Sequence, residues 1–144
     1  MENDPSPDIV DAIDRYSERL RAEPGDVSMD RLWRAVFALD QWRFLTRSLD
    51  TPHPVIAEFP QGAMLLAFTT AERAREGDLW AGLDPTANSY QISVPLPGAI
   101  DWAAGFADHH AVYGILFDHP SQGFYVPLTG LQPMRDRMAH NPPL

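Results

Sequence analysis

Hydrophobic positions change their period repeatedly along this chain. Ile9, Ile13, Tyr16 and Leu20 recur at spacings of four, three and four, which puts them on one stripe of a helix over Asp8 to Ala22. Asp8 and Asp11 fall in its first turn and Arg19 and Arg21 in its last, as the helix dipole favours. Glu23-Pro24-Gly25-Asp26 stops it. Ser28 is expected to cap a second helix to Leu39, whose inward stripe is Met29, Leu32, Trp33, Val36 and Phe37. So short a connection sets the two helices side by side.

From Gln41 the period drops to two. Trp42, Phe44 and Thr46 alternate with Arg43, Leu45 and Arg47, the pattern of a half-buried strand; the alternative is that the second helix continues to Arg47. Val55 to Phe59 and Ala63 to Phe68 flank Pro60-Gln61-Gly62 and predict a β-hairpin. Thr69 or Thr70 then caps a helix, Glu72 closing a capping box with Thr69. Gly77 is expected to end that helix, with one further turn over 79–83 and a loop from Asp84 to Ser89. Tyr90 to Leu96 reads as a strand that Pro95 confines to an edge or terminates. Pro97-Gly98 opens a helix over Ala99 to Ala107, and Ala111 to Phe117 is the strongest strand. His119 to Gly123 is a turn, Phe124 to Leu128 returns, and a last helix over Thr129 to Met138 is interrupted early by Pro133.

This order predicts an α+β fold: a single mixed or antiparallel sheet of five or six strands with helices packed on it, preceded by an N-terminal helical pair. At 144 residues one domain is expected, an acidic helical pair over 1–40 followed by an α+β core over 41–138.

Composition narrows the chemistry. All eleven basic residues are arginine and there is no cysteine. Without lysine there is no P-loop, no kinase strand lysine and no Schiff base. Without cysteine there is no thiol nucleophile, iron–sulfur cluster or structural zinc knuckle. The formal charge of −9 is concentrated early, with nine acids against three arginines over Met1 to Asp30. An acidic surface repels phosphate backbones, so nucleic acid is not an expected partner, whereas a basic protein would be drawn to the acidic end. The acidic start lacks the basic-then-apolar pattern of a secretion signal, and no apolar run approaches the roughly 18 residues of a membrane span. A cytoplasmic protein with no membrane contact is the expectation.

The candidate constellations are few. His109, His110 and His119 with Asp108 and Asp118 have metal-ligand chemistry, but a strand over Ala111 to Phe117 would hold the two ends roughly 23 Å apart. Ser121 follows His119 and Pro120 without a G-x-S-x-G elbow, and Ser, Pro and Gly there are turn residues. Asp11, Asp14 and Glu18 are neighbours on one helix rather than carboxyls facing across a cleft. No G-x-G-x-x-G is present. No catalytic residue, metal ligand or cofactor site is expected. The aromatics are the most suggestive group: Trp102 and Phe106 share a helix face, and Trp80 lies near a helix end as a candidate anchor.

Two stretches carry a resemblance. The first is Pro54-Val55-Ile56-Ala57-Glu58 with Gly62-Ala63-Met64-Leu65-Leu66, running into Ala67-Phe68-Thr69-Thr70-Ala71-Glu72-Arg73-Ala74. The second is Gly114 to Phe124, a strand, a turn through Asp118-His119-Pro120 and a returning strand. From Trp42 to Met138 the chain resembles the N-terminal domain of the SseB (enhanced serine sensitivity) family, with Asp118-His119-Pro120 where that family is expected to place asparagine directly before proline. The resemblance implies an α+β domain with no established enzymatic activity and no catalytic residues to carry over. The resulting expectation is a non-catalytic protein-interaction module whose partner contacts come from Trp80, Trp102, Phe106, Asp11, Asp14 and Glu18, a homodimer being one form of partnership. One alternative is a small acidic chaperone or immunity-type protein, by fold-level likeness to the dimeric chaperones of type III secretion. Another is a hydrolase or metal-dependent enzyme using the His109/His110/His119 region.

Overall fold

The computed structural model describes residues 4–48, 50, 53–81, 90–109 and 111–143, the side chain of His109 excepted. Helices α1 (Pro7–Ala22) and α2 (Asp26–Phe37) precede strands β1 (Gln41–Thr46), β2 (Ile56–Phe59) and β3 (Gly62–Phe68). Then follow α3 (Ala71–Trp80), β4 (Tyr90–Pro95), α4 (Gly98–Ala104), α5 (Phe106–His109), β5 (Gly114–Phe117) and β6 (Phe124–Pro127). A single 3-10 turn, Leu128–Gly130, leads into α6 (Leu131–His140). The fold is α+β, with one six-stranded sheet.

The strands run β4-β1-β3-β5-β6, and β2 pairs with β3 beside the end of β1. Every pairing is antiparallel except β3 with β5, where Met64 faces Gly114 and Ala67 faces Phe117. That parallel pair needs the long crossover through α3, β4, α4 and α5. Gly62, at φ 138°, makes the tight turn of the β2–β3 hairpin, and β4 lies at a sheet edge, where its Pro95 costs no ladder bond.

Alternation along the strands builds two cores. Trp42, Phe44, Leu65, Ala67, Ile115 and Phe117 face a large core with Ile13 of α1, Trp33 of α2 and Leu131 of α6. Leu45, Met64, Leu66, Phe68 and Leu116 face a smaller one closed by Ala74 of α3. Trp33 and Trp42 each meet the ring of Phe117 edge-on, at 5.7 and 5.0 Å. The helical pair therefore shares its core with the sheet. No helix among the described residues is long and apolar enough to cross a membrane.

Several local expectations are corrected. Gly25 occupies the N-cap of α2, and the Ser28 hydroxyl instead donates back to the Glu23 carbonyl at 3.0 Å. Strand β1 is buried on both faces rather than half-buried, because β3 and β4 flank it and both sheet faces are covered; Arg43 is only 6 % exposed. The helical alternative for Gln41 to Arg47 falls with it. Thr70, not Thr69, caps α3 by accepting from the Arg73 amide, which removes the Thr69–Glu72 capping box. Gly77 does not end α3 but sits buried inside it, against the ring of Phe68. The helix expected over Ala99 to Ala107 breaks at Gly105, and the strand expected from Ala111 starts only at Gly114, after Ala111 takes a left-handed φ of 54°. Pro133 does not interrupt α6, since it falls in the first turn, where its missing N–H has no intrahelical acceptor to lose. Gly82, Leu83, the loop Asp84 to Ser89 and His110 lie outside the described residues.

Candidate functional site

The parallel strands β3 and β5 end together, and a dense polar cluster gathers at their ends. Residue 118 follows β5 in a left-handed conformation, φ 58°, which a short polar side chain tolerates better than most. Its carboxylate, fully buried, accepts from the Thr69 amide at 2.8 Å, the Thr69 hydroxyl at 2.7 Å and the Arg73 guanidinium at 2.9 Å. Arg73 also donates two bonds of 2.7 Å to Asp14 on α1. Beside it, Arg43 pairs with Asp4 at 3.0 Å, and Asp4 in turn accepts from the Ala71 amide at 3.1 Å. Burial pushes the Asp118 carboxyl above its ordinary range, with Thr69 and Arg73 working against that push. The Asp14 hydrogen bonds, foremost, and Asp118 hold Arg73 above its ordinary value. In an α/β sheet the ends of parallel strands are where ligands usually gather. Here the charges are spent on one another, and the cluster locks α1 and α3 to the sheet.

One apolar surface stands open at the far end of α3. Leu79 is 78 % exposed and Trp80 42 %. The Trp80 indole stacks on Phe59 of β2 at 5.4 Å and 8°, and His119 sets its edge against both rings, at 4.2 Å from Trp80 and 5.3 Å from Phe59. Partial burial there lowers the pKa of the imidazole. Glu76 and Glu72, four and eight residues before Trp80, continue its row along the helix, and both are exposed; Glu58, next to Phe59 in β2, alternates onto the other face of the strand.

A second opening follows the seam of α1 and α2. A trough of about 310 Å³ lies among Ile9, Ala12, Tyr16, Ala35 and Leu39, with Asp40 at one end. Tyr16 also borders a smaller hollow of about 190 Å³ lined by Arg15, Arg19, Arg31 and Ser28.

The residues singled out from sequence separate into these environments. Trp80 stands partly exposed at the end of α3. Trp102 and Phe106 are half-buried: Trp102 packs edge-on against the core ring of Phe44 at 4.8 Å and against Phe106 at 5.1 Å. Asp11 and Glu18 are exposed on α1, whereas Asp14 is bound by Arg73 and is not part of a free acidic face. Ser121 donates to the Asp118 carbonyl at 3.0 Å within its turn. His119 and His109 follow and precede β5 along the chain, and no group of three or more His, Asp or Glu among the described residues could hold a metal ion. No sequence motif marks the Thr69–Arg73–Asp118 cluster, because Asp118 lies 49 residues from Thr69 and 45 from Arg73. The trough left a fainter trace in the alanines Ala12, Ala35 and Ala38 at positions where a tighter helix pair would place larger side chains. No family model matches the chain, and no curated protein matches it.

Proposed function

We propose that this chain is a non-catalytic protein-interaction module of SseB-like type, and that Leu79 and Trp80 anchor its partner. The observation that carries the reading is a tryptophan held rigid by Phe59 and His119 yet 42 % exposed, next to a leucine exposed almost throughout. A preorganised aromatic loses little side-chain entropy on binding, which is what makes such residues interface anchors. The exposed acids Glu72 and Glu76 set the partner's chemistry: an apolar segment flanked by arginine or lysine. The cysteine-free composition, which uses no disulfide, supports a cytoplasmic setting.

A photo-crosslinking residue at position 79, compared with one at exposed Asp136, tests this in cells of the protein's own source. A discrete adduct at 79, absent at 136 and lost with Trp80→Ala, supports the reading. Equal labelling at both positions, or an adduct indifferent to Trp80→Ala, overturns it.

The acidic chaperone or immunity-type reading keeps one observation: Asp11 and Glu18, exposed and seven residues apart, share one face of α1. Its signature is association with a basic partner that weakens as salt rises and is abolished by Asp11→Arg with Glu18→Arg.

A further inference from the structure

We propose that the α1/α2 seam binds a single-chain amphiphile with an anionic head, the head at Arg15 and Arg31 and the apolar tail in the trough beyond Tyr16. This surface shares no residue with the Leu79–Trp80 anchor and does not depend on it.

Two observations meet there. The trough is apolar and open: Ile9, 46 % exposed, and Leu39 line one end, and the floor is alanine at 12, 35 and 38, so the helices enclose about 310 Å³ instead of closing on each other. Volumes of this order suit a small ligand. At the other side of Tyr16 three exposed arginines line one hollow in a chain of net charge −9. Arg19 is partly neutralised by Glu23 at 3.3 Å. Among the described residues, neither Arg15 nor Arg31 has a carboxylate within 4.0 Å, although acids outnumber arginines nearly two to one. Three arginines lining one hollow offer an anion several charge-assisted hydrogen bonds, and exposed Asp11 and Glu18, four residues before and three after Arg15, temper that attraction.

Geometry then sets the tail. Tyr16 to Ile9 is seven residues, about 10 Å along the helix axis, the reach of an extended chain of roughly eight carbons. The single carboxylate of Asp40 at the far end makes the opposite orientation, with an anionic head there, unfavourable. The chemistry on offer is shared by a fatty acid and by an alkyl phosphate, and a double-chain lipid is too bulky for the space.

The test is a titration followed by amide NMR shifts, with octanoate, octyl phosphate and octylammonium as probes on the full chain. Octanoate or octyl phosphate should move the amides of residues 9–16 and 31–39 in a saturable way, and which of the two binds tighter identifies the head. Arg15→Gln with Arg31→Gln should weaken binding roughly tenfold or more, and Ala35→Leu, which fills the trough, should abolish it, both variants keeping the wild-type melting temperature within a few degrees. Equal binding of octylammonium, indifference to the arginine pair, or shifts confined to residues around Trp80 would overturn the proposal. Should Ala35→Leu prove unstable, Ala12→Met serves the same purpose from the other helix.

Discussion

Arg73 donates two hydrogen bonds of 2.7 Å to Asp14, fifty-nine residues earlier in the chain. The same guanidinium reaches Asp118, which has no solvent exposure, at 2.9 Å. One cation thus joins the first helix, the third helix and the turn after β5.

Removing that cation leaves a buried carboxylate without its counter-charge. Breaking such a pair from one side costs about 3–5 kcal/mol, so Arg73→Ala is expected to be among the most destabilising surface-proximal changes. Asp14→Arg sets two guanidiniums against each other and should cost about 2 kcal/mol or more. Asp11→Arg and Glu18→Arg, on the exposed face, should stay within about 0.5 kcal/mol. Urea denaturation of the four variants checks the ranking; equal costs for positions 11 and 14 would show that the clamp does not form.

Gly77 lies in the middle of α3, where alanine would ordinarily gain up to about 1 kcal/mol of helix propensity. Packing decides otherwise. A methyl at this position would overlap the ring edge of Phe68, itself fully buried, and come within 3.2 Å of the His119 carbonyl. Overpacking costs about 1–3 kcal/mol, so Gly77→Ala should destabilise on balance. Gly77→Ala with Phe68→Leu should recover part of the loss relative to the sum of the single changes, as a double-mutant cycle would report.

The His119 pKa is lowered from 6.5 in the fold. Between 6.5 and that lower value the unfolded chain takes up the proton before the folded one does, so this group's contribution to stability is complete above pH 6.5 and is lost as pH falls through the window. An NMR titration should place the His119 midpoint below 6.5, and Trp80→Ala, by opening the ring to water, should move it back up.

The tryptophans should divide by burial. Trp33, fully buried, should cost about 3–5 kcal/mol on replacement by alanine. Trp80 contributes chiefly its stacking on Phe59, worth about 0.5–1.5 kcal/mol. Trp80→Ala should therefore leave the protein folded while removing most of the acrylamide-quenchable fluorescence; a global loss of near-ultraviolet dichroism in that variant would contradict the assignment.

Much of the fold is local in origin and so was legible in the residues. The 4-3-4 spacing from Ile9 to Leu20, the glycine turn at Gly62 and the unbroken apolar run from Ala63 to Phe68 each predict their own element within a few residues, and together they predict the α+β sheet that is found. The exposure of Trp80 also has a local origin, since it sits at the end of a helix. What periodicity cannot carry is the meeting of distant groups. That Asp14 is a clamp and Asp11 a free surface charge depends on where Arg73 arrives, and that Arg43 is buried depends on β1 lying between β3 and β4 with Asp4 brought against it. Gly77 reads as a helix stop along the chain, and only the approach of Phe68 turns it into a packing requirement. Short-range sterics and hydrophobic spacing choose the elements; long-range burial and charge pairing, which act between residues dozens of positions apart, decide what each side chain does.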